Sequence, residues 1–359
     1  MTLVTTLQAL LRLSPKMVAY QIKRQFRNRL SARFPQAYAR YIARVTENVP
    51  ALCDRRGIGG MAPAVAAFYC KAYAAKAVDA AKGRFSFLGQ NVDFGSASAI
   101  DWHHEVAAER DFHLWRQKLG HMGFVCPMLM RGDDDQLSAV SAVIDGFSAQ
   151  ADFSTQGCFS SYWFPYSSSH RILAILSGYL IARETRALPA DLVLQIETFL
   201  RWNVGFTLAN IEHELKNNHV ERNLAALCLY FSHATSVPPG IVRMLDREVT
   251  AIIRETLLDD GLSEERSAMY QGLSVMALQV FSATPFLGAN TRALSRERLE
   301  QAIRAWHFMA HPDGEIALFN DSWFGEVPCP NDIVSGPDFS VVETLPQAGY
   351  GRLSAGDIF

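Results

Sequence analysis

The sequence is poor in features that mark several protein classes. Its six cysteines, Cys53, Cys70, Cys126, Cys158, Cys228 and Cys329, never form a CxxC pair. That argues against a zinc knuckle and a dense disulfide framework, and leaves buried free thiols as the expectation. No run is long and apolar enough to read as a transmembrane helix. Charge is nearly balanced, with 34 Lys and Arg against 36 Asp and Glu and a net charge of −2. No global field would therefore draw the chain to nucleic acid or to an anionic membrane, and any polyanion cleft must be locally basic. No strict repeat is visible, which speaks against a regular solenoid. The start, Met1 to Leu7, lacks the charged residues and cleavage site of an export signal.

What is present suits a compact, mostly helical protein. The 359 residues are 49% hydrophobic and 19% charged, enough for a large core. Leu192, Ile196 and Phe199 repeat at helical spacing, as do Leu245, Val249, Ile252 and Ile253, and then Leu299, Ile303 and Trp306. Ser295 is placed to cap the last of these helices. Breaks fall at Pro189, Pro238-Pro239-Gly240, Asp259-Asp260-Gly261 and Pro285, so the pattern predicts antiparallel helical hairpins with short turns. Residues 83–102 are rich in Gly and aromatics and read as loop or short strand. From residue 312 onward helical periodicity fades, Pro328, Pro330, Pro337 and Pro346 punctuate the chain, and Tyr350-Gly351-Arg352-Leu353 reads as the start of a strand.

Near the N-terminus, Lys16, Lys23, Arg24, Arg27, Arg29 and Arg33 interleave with Met17, Val18, Ile22, Phe26 and Leu30. This is a basic amphipathic helix. A solvated basic face packed on the body is the first expectation, and contact with a membrane surface or a polyanion the second.

Two segments carry the chemistry. One is Lys216-Asn217-Asn218-His219. The other begins at Asp260-Gly261 and continues through Glu265-Arg266-Ser267-Ala268-Met269-Tyr270. An amide, an imidazole and a phenol are the groups needed to remove a proton beside a sugar carboxylate. The amide hydrogen-bonds the charge that develops on the carboxyl group, as in an oxyanion hole. His acts as base or acid near neutral pH, and Tyr can do either if nearby cations depress its pKa. Asn218 and His219 point roughly 100 degrees apart on a helix and can line two walls of one pocket. Taken singly, these residues have plainer readings. Asn217 and Asn218 could cap a helix, His219 could be a first-turn histidine, and Tyr270 a half-buried aromatic.

Several patches resemble the heparinase II/III-like polysaccharide lyase family, which is similar to alginate lyases with the same helical toroid. Phe85-Ser86-Phe87-Leu88-Gly89 with Ile100-Asp101-Trp102 resembles its F-x-F-L-G…I-D-W signature. Trp163-Phe164-Pro165-Tyr166 through Arg171-Ile172 resembles its W-x-P-Y…R-I helix, and Asn217-Asn218-His219 through Asn223 its N-N-H-x-x-x-N segment. Asp260-Gly261 with Glu265 to Tyr270 resembles D-G…E-x-S-x-x-Y. Asp313-Gly314 with Asn320-Asp321-Ser322 resembles D-G…G-D-S, with Asn320 where the family has Gly.

The resemblance implies an incomplete alpha/alpha toroid over residues 1–311, with residues 312–359 forming a linker and the first strands of a β-sandwich that would continue beyond Phe359. It implies β-elimination on an acidic, uronate-containing polysaccharide without an organic cofactor, and it allows a structural metal ion, although no residue pattern here indicates one. Asn218 would neutralise the substrate carboxylate, His219 would assist it or take the proton, and Tyr270 would be base or acid at the leaving oxygen. Trp163, Tyr166 and Arg171 are expected to line the cleft with Asn217, Glu265 and Arg266, since an aromatic platform with a cation suits a sugar and its carboxylate. Asp101 is expected to anchor its loop.

The family often has His after the Tyr where this chain has Gln271, and takes a further catalytic residue from its β domain. The alternative is therefore a non-catalytic carbohydrate-binding toroid associated with surface-polysaccharide biosynthesis. A glycosidase would need two paired carboxylates, and Glu212, Glu214 and Glu265 show no convincing pairing. His213-Glu214 meets Asn217 where the zinc pattern needs a second His, so that motif fails.

Overall fold

The computed structural model describes residues 15–53, 61–106, 113–155, 157–323, 325–337, 339 and 342–353. The first residues, Met1 to Leu7, and the closing Asp357-Ile358-Phe359 lie outside the described residues. The chain is mostly helical.

Two helices come first, α1 (Pro15–Arg33) and α2 (Pro35–Glu47), and a long one follows, α3 (Met61–Ala81). A small hairpin of β1 (Arg84–Phe87) and β2 (Gln90–Asp93) turns through Leu88 and Gly89, both at positive φ. That two-residue turn matches the right-handed twist of the strands. Next come α4 (Leu114–His121), α5 (Val125–Arg131), α6 (Asp134–Gln150), α7 (Pro165–Thr185), α8 (Ala190–Ala209), α9 (Asn217–Ser232), α10 (Pro239–Thr256), α11 (Ala268–Ala283) and α12 (Ala289–Phe308). A short α13 (Pro330–Ile333) and a hairpin of β3 (Val342–Leu345) with β4 (Tyr350–Leu353) follow.

The helices form two layers in the manner of an alpha/alpha toroid. In the inner layer α3 packs on α7, α7 on α9, α9 on α11, and α11 back on α3, with α5 wedged between α3 and α7. Outside them α8 backs α7, α10 backs α9, and α12 backs α11. Burial distinguishes the layers. In α9 every residue from Val220 to Phe231 is buried, and in α7 so is every residue from Ser167 to Leu180, polar residues such as Arg171 and Arg222 included. The outer α10 buries only Leu245, Val249, Ile252, Ile253 and Thr256, one stripe of its surface. Close approach between α5 and α7 requires Gly178, because a Cβ there would meet the Cys126 backbone at 2.9 Å.

The predicted breaks at Pro189, Pro238 and Gly261 fall between helices, and the heptad-like triplets lie on α8, α10 and α12. The cap assigned to Ser295 is corrected. Ser295 is inside α12, buried, with its hydroxyl donating to the Thr291 carbonyl at 2.8 Å, and Gly288 stands at the N-cap.

Candidate active site

The two motif segments meet where the N-termini of α9 and α11 come together. Asn218 is the second residue of α9 and is buried, and its Nδ2 donates to both oxygens of Glu265 at 2.8 Å. The backbone N–H of Asn218 also points at that carboxylate, at 3.5 Å. Glu265 therefore supplies the negative charge that an N-terminus favours. Asn217 and Asn218 do not cap α9. The N-cap is Lys216, without a side-chain cap bond.

The backbone is strained around this contact. Lys216, Asn217 and Arg266 all have positive φ, at 60°, 46° and 53°. Such conformations cost energy in non-glycine residues and persist where the surroundings impose them. The surroundings are visible at Arg266. Its carbonyl accepts from Asn320 Nδ2 at 2.8 Å and from the Tyr350 hydroxyl at 3.1 Å. Asn320 itself sits at φ 51°, a conformation that Asn visits more readily than most residues. Ser267 caps α11, its hydroxyl accepting from the Tyr270 N–H at 3.4 Å, and pairs with the Ser322 hydroxyl at 2.9 Å.

His219 faces the other wall. Its Nδ1 lies 3.3 Å from Glu212 Oε1, and its ring packs against Tyr166 with centroids 4.8 Å apart. Glu212 is buried and fixed. Its second oxygen accepts from Asn223 Nδ2 at 3.2 Å, while its backbone N–H donates to Asn223 Oδ1 at 2.9 Å. Asn223 Nδ2 also reaches the Ser169 hydroxyl at 2.9 Å. A carboxylate accepting from Nδ1–H sets the tautomer in which Nε2 carries the free lone pair.

Tyr270 is half-buried. Burial first, and then the charges of Glu265, Asp321 and Glu326, together push its pKa up to about 12. The expectation of a phenol activated by cations is thus reversed. At neutral pH Tyr270 keeps its proton and is fitted to donate it. Tyr166 is also raised, first by burial, with Arg222 pulling the other way and Tyr270 and Glu265 adding to the rise. Tyr166 thus feels the charges of Arg222, Tyr270 and Glu265, while its ring packs on His219 and Glu265 holds the Asn218 amide.

Arg222 was not foreseen. It is fully buried on α9, and its Nε and Nη2 have no hydrogen-bond partner. Below it stand two stacked histidines, His121 and His170, with centroids 4.4 Å apart and His170 Nδ1 meeting the Tyr69 hydroxyl at 2.8 Å. Burial first, then neighbouring cations or each other, lowers both imidazoles well below their ordinary range. Both rings are therefore neutral, as a buried imidazole without a carboxylate must be.

Trp163 and Arg171 are corrected. Trp163 is buried among Phe147, Phe153 and Phe206, and its indole N–H donates to the Ala151 carbonyl at 2.7 Å. Arg171 is fully buried. It donates to Asn203 Oδ1 at 3.0 Å and to the carbonyls of Gly120 and Tyr162 at 2.8 Å, and burial lowers its pKa to about 9. Both hold the helical scaffold together, while Tyr166, on the same segment, turns toward His219. Arg266 is exposed at the rim, Asn217 is half-buried beside it, and Asp101 accepts from the His103 N–H within its own loop. A cavity of about 950 Å³ lies against Trp163 between α2, α6 and α8, and none of Asn218, His219, Tyr166 or Tyr270 lines it. Its lining carries Asp145, Asp152 and Asp191 and no Lys or Arg, so it lacks the local basic character that an acidic ligand needs.

Two motif residues are structural. Gln271 is fully buried and points away from the site. Its Nε2 donates to the carbonyls of Gly261 and Ala302, and its Oε1 accepts from the Ser263 N–H at 2.6 Å. Asp260 accepts from the N–H groups of Gln347 and Ala348 at 2.9 and 2.8 Å, holding the turn of the β3–β4 hairpin. Gly261 has φ +85°, and a Cβ there would lie 2.5 Å from the Gln301 carbonyl oxygen. Among the described residues, no group of three or more His, Cys, Asp and Glu side chains could hold a metal ion.

No family model matches the sequence, and no curated protein does. Among solved structures the chain is similar to the heparan sulfate lyase HepC from Pedobacter heparinus, with a TM-score of 0.49 and 14% identity, over 79% of this chain and 45% of that one. It is similar also to a heparinase III, with a TM-score of 0.48 and 14% identity, over 74% of this chain and 41% of that one. The chain thus spans less than half of either structure, and the likeness concerns the course of the helices alone.

Proposed function

We propose that this protein is a polysaccharide lyase that cleaves a uronate-containing polymer by β-elimination. The observation that carries the reading is the convergence of Asn218, His219, Tyr166 and Tyr270 at the junction of α9 and α11. The substrate carboxylate takes the Asn218 amide in place of Glu265, and the buried positive charge of Arg222 favours it. His219 Nε2 removes the proton on the carbon next to the carboxylate. The electron pair becomes a carbon–carbon double bond as the neighbouring bond to the glycosidic oxygen breaks, and the Tyr270 hydroxyl protonates that oxygen. Proton exchange with water restores both groups.

The test is absorbance of unsaturated uronate products with heparan sulfate, alginate and related polymers. Product from at least one polymer is expected, with Tyr270→Phe and His219→Ala each slowing its release by roughly 10²- to 10⁴-fold. A folded protein that yields no product from any of them would overturn the reading.

One observation favours a second reading, a carbohydrate-binding toroid without catalysis: the Asn218 amide is already held by Glu265 at 2.8 Å. Oligosaccharide binding that survives Tyr270→Phe, with no turnover by the parent protein, would select it.

A further inference from the structure

The first helix is packed inside out. Along α1 the side chains turned toward the body are largely polar. Gln21 donates to the Glu214 carbonyl, Arg24 pairs with the Glu214 carboxylate at 3.7 Å, and Arg27 donates to Asn210 Oδ1 at 2.9 Å while lying over the Phe159 ring. Ser31 is fully buried, bonded to the Arg27 carbonyl. Met17 is buried and Tyr20 stacks on His213 with centroids 4.9 Å apart, but no described residue of α1 belongs to the continuous hydrophobic core.

Its large apolar side chains face solvent. Ile22, Phe26 and Leu30 are 63%, 65% and 45% exposed, and Phe34, just beyond the helix, is 54% exposed. The spacing of i, i+4 and i+8 makes the first three one continuous stripe. Exposed Lys23, Arg29 and Arg33 lie on the same outward face, and α1 contains no Asp or Glu. Lys23, Arg29 and Arg33 are solvated as expected, but the apolar stripe shares their outward face, and Arg24 and Arg27 are the cations packed on the body. A contiguous exposed apolar stripe marks an interaction surface, and its cations specify the sign of the partner.

We propose that α1 is an interfacial helix that docks this protein on an anionic phospholipid bilayer. The helix lies in the plane of the headgroups. Ile22, Phe26, Leu30 and Phe34 enter the acyl boundary, and Lys23, Arg29 and Arg33 meet lipid phosphates. Apolar burial and basic attraction are the two contributions that bind such helices. Arg24 and Arg27 are spent on the body instead, and they fix the helix so that its apolar face stays outward. No described helix is long and apolar enough to cross a membrane, so the contact is peripheral. The docked face is the one opposite the Ile211 to Glu214 segment that leads into α9, which couples the membrane-facing helix to the wall bearing Glu212.

The experiment is co-sedimentation of the full chain with vesicles of phosphatidylcholine, with and without phosphatidylglycerol. Binding is expected only to the phosphatidylglycerol vesicles and is expected to weaken as salt is raised. The triple variant Ile22→Glu, Phe26→Glu and Leu30→Glu replaces only exposed side chains and should abolish binding while leaving the melting temperature unchanged. A second variant, Arg29→Gln with Arg33→Gln, keeps the apolar stripe and should weaken binding by at least about tenfold. Absence of binding to phosphatidylglycerol vesicles would overturn the proposal, and so would binding that survives the triple glutamate variant. A dimer that dissociates in the triple variant, with no vesicle binding by the parent, would assign the face to a second copy of the chain instead.

Discussion

The Asn218 side-chain amide gives both its hydrogens to one carboxylate, that of Glu265, at 2.8 Å to each oxygen. A substrate carboxylate recruited to the same amide has to displace it. Glu265 also raises the pKa of Tyr270 and of Tyr166. Changing Glu265→Gln removes the competing charge, so the KM for a uronate polymer should fall by roughly three- to tenfold as like-charge repulsion is relieved. Initial rates across substrate concentration check this, and a KM that rises would mean that Glu265 binds substrate instead.

Glu212 positions His219 without touching the reacting atoms. Glu212→Gln keeps the shape and the bond to Asn223 but removes the negative charge that selects the tautomer at Nδ1. The expected result is a loss of about 10- to 100-fold in kcat with little change in KM, as for the outer partners of ligating or catalytic histidines. The acidic limb of the pH–rate profile, where the base becomes protonated, should also move. An unshifted profile with a merely less stable protein would leave Glu212 only a structural role.

Much of this architecture was legible in the text of the chain, and the reasons for the remainder are physical. Helical periodicity located α8, α10 and α12 because those helices are amphipathic and lie outside. The inner α7 and α9 are buried nearly all round and carry buried polar residues, so no clean apolar stripe appears, and motif residues mark them instead. Spacing brought Asn218 and His219 onto one helix, and the break at Gly261 set Tyr270 at the start of another. Spacing could not reveal that Trp163 and Arg171 turn inward while Tyr166 turns to His219, because Trp163 lies in the turn before α7 and the orientation of the helix about its axis is set by its neighbours. Arg222 was missed because a lone Arg in an apolar run looks like any other charge until its neighbours are known. The outward stripe of α1 was read with the wrong side packed, since periodicity reports that two faces differ and not which of them meets the body.

Glu221 gives a pH signature. It is fully buried on α9, and burial raises its carboxyl to about 7 although the Ser274 hydroxyl donates to it at 2.7 Å. An acid with a raised folded-state pKa binds its proton more tightly when folded. Its contribution is thus present below the unfolded value of about 4.5 and is lost as pH rises toward 7 and beyond. The loss is on the order of 3 kcal/mol by that linkage. Glu221→Gln should flatten the fall in melting temperature between pH 4.5 and 8, and an unaltered slope would show that Glu221 ionises freely.

His121 and His170 act in the opposite sense. Their folded-state values are depressed, so the unfolded chain binds the extra protons as pH drops below about 6.5. Stability should therefore decline on acidification below that value, and His170→Gln should soften the decline. Thermal melts from pH 4 to 7 provide the measurement, and a variant as acid-sensitive as its parent would contradict the assignment.

The clasp of Asn320 and Tyr350 on the Arg266 carbonyl ties the reactive corner to a stretch of chain that is not part of the helical ring. A shortened protein ending near residue 311 could retain its helices and still lose the pose of Glu265, because nothing else in the clasp would oppose relaxation of the positive φ at Arg266. Whoever trims this molecule to a minimal bundle should expect a folded product in which Glu265 no longer holds the Asn218 amide, and whoever seeks a handle for tuning that contact should look to those two side chains before touching the helices themselves.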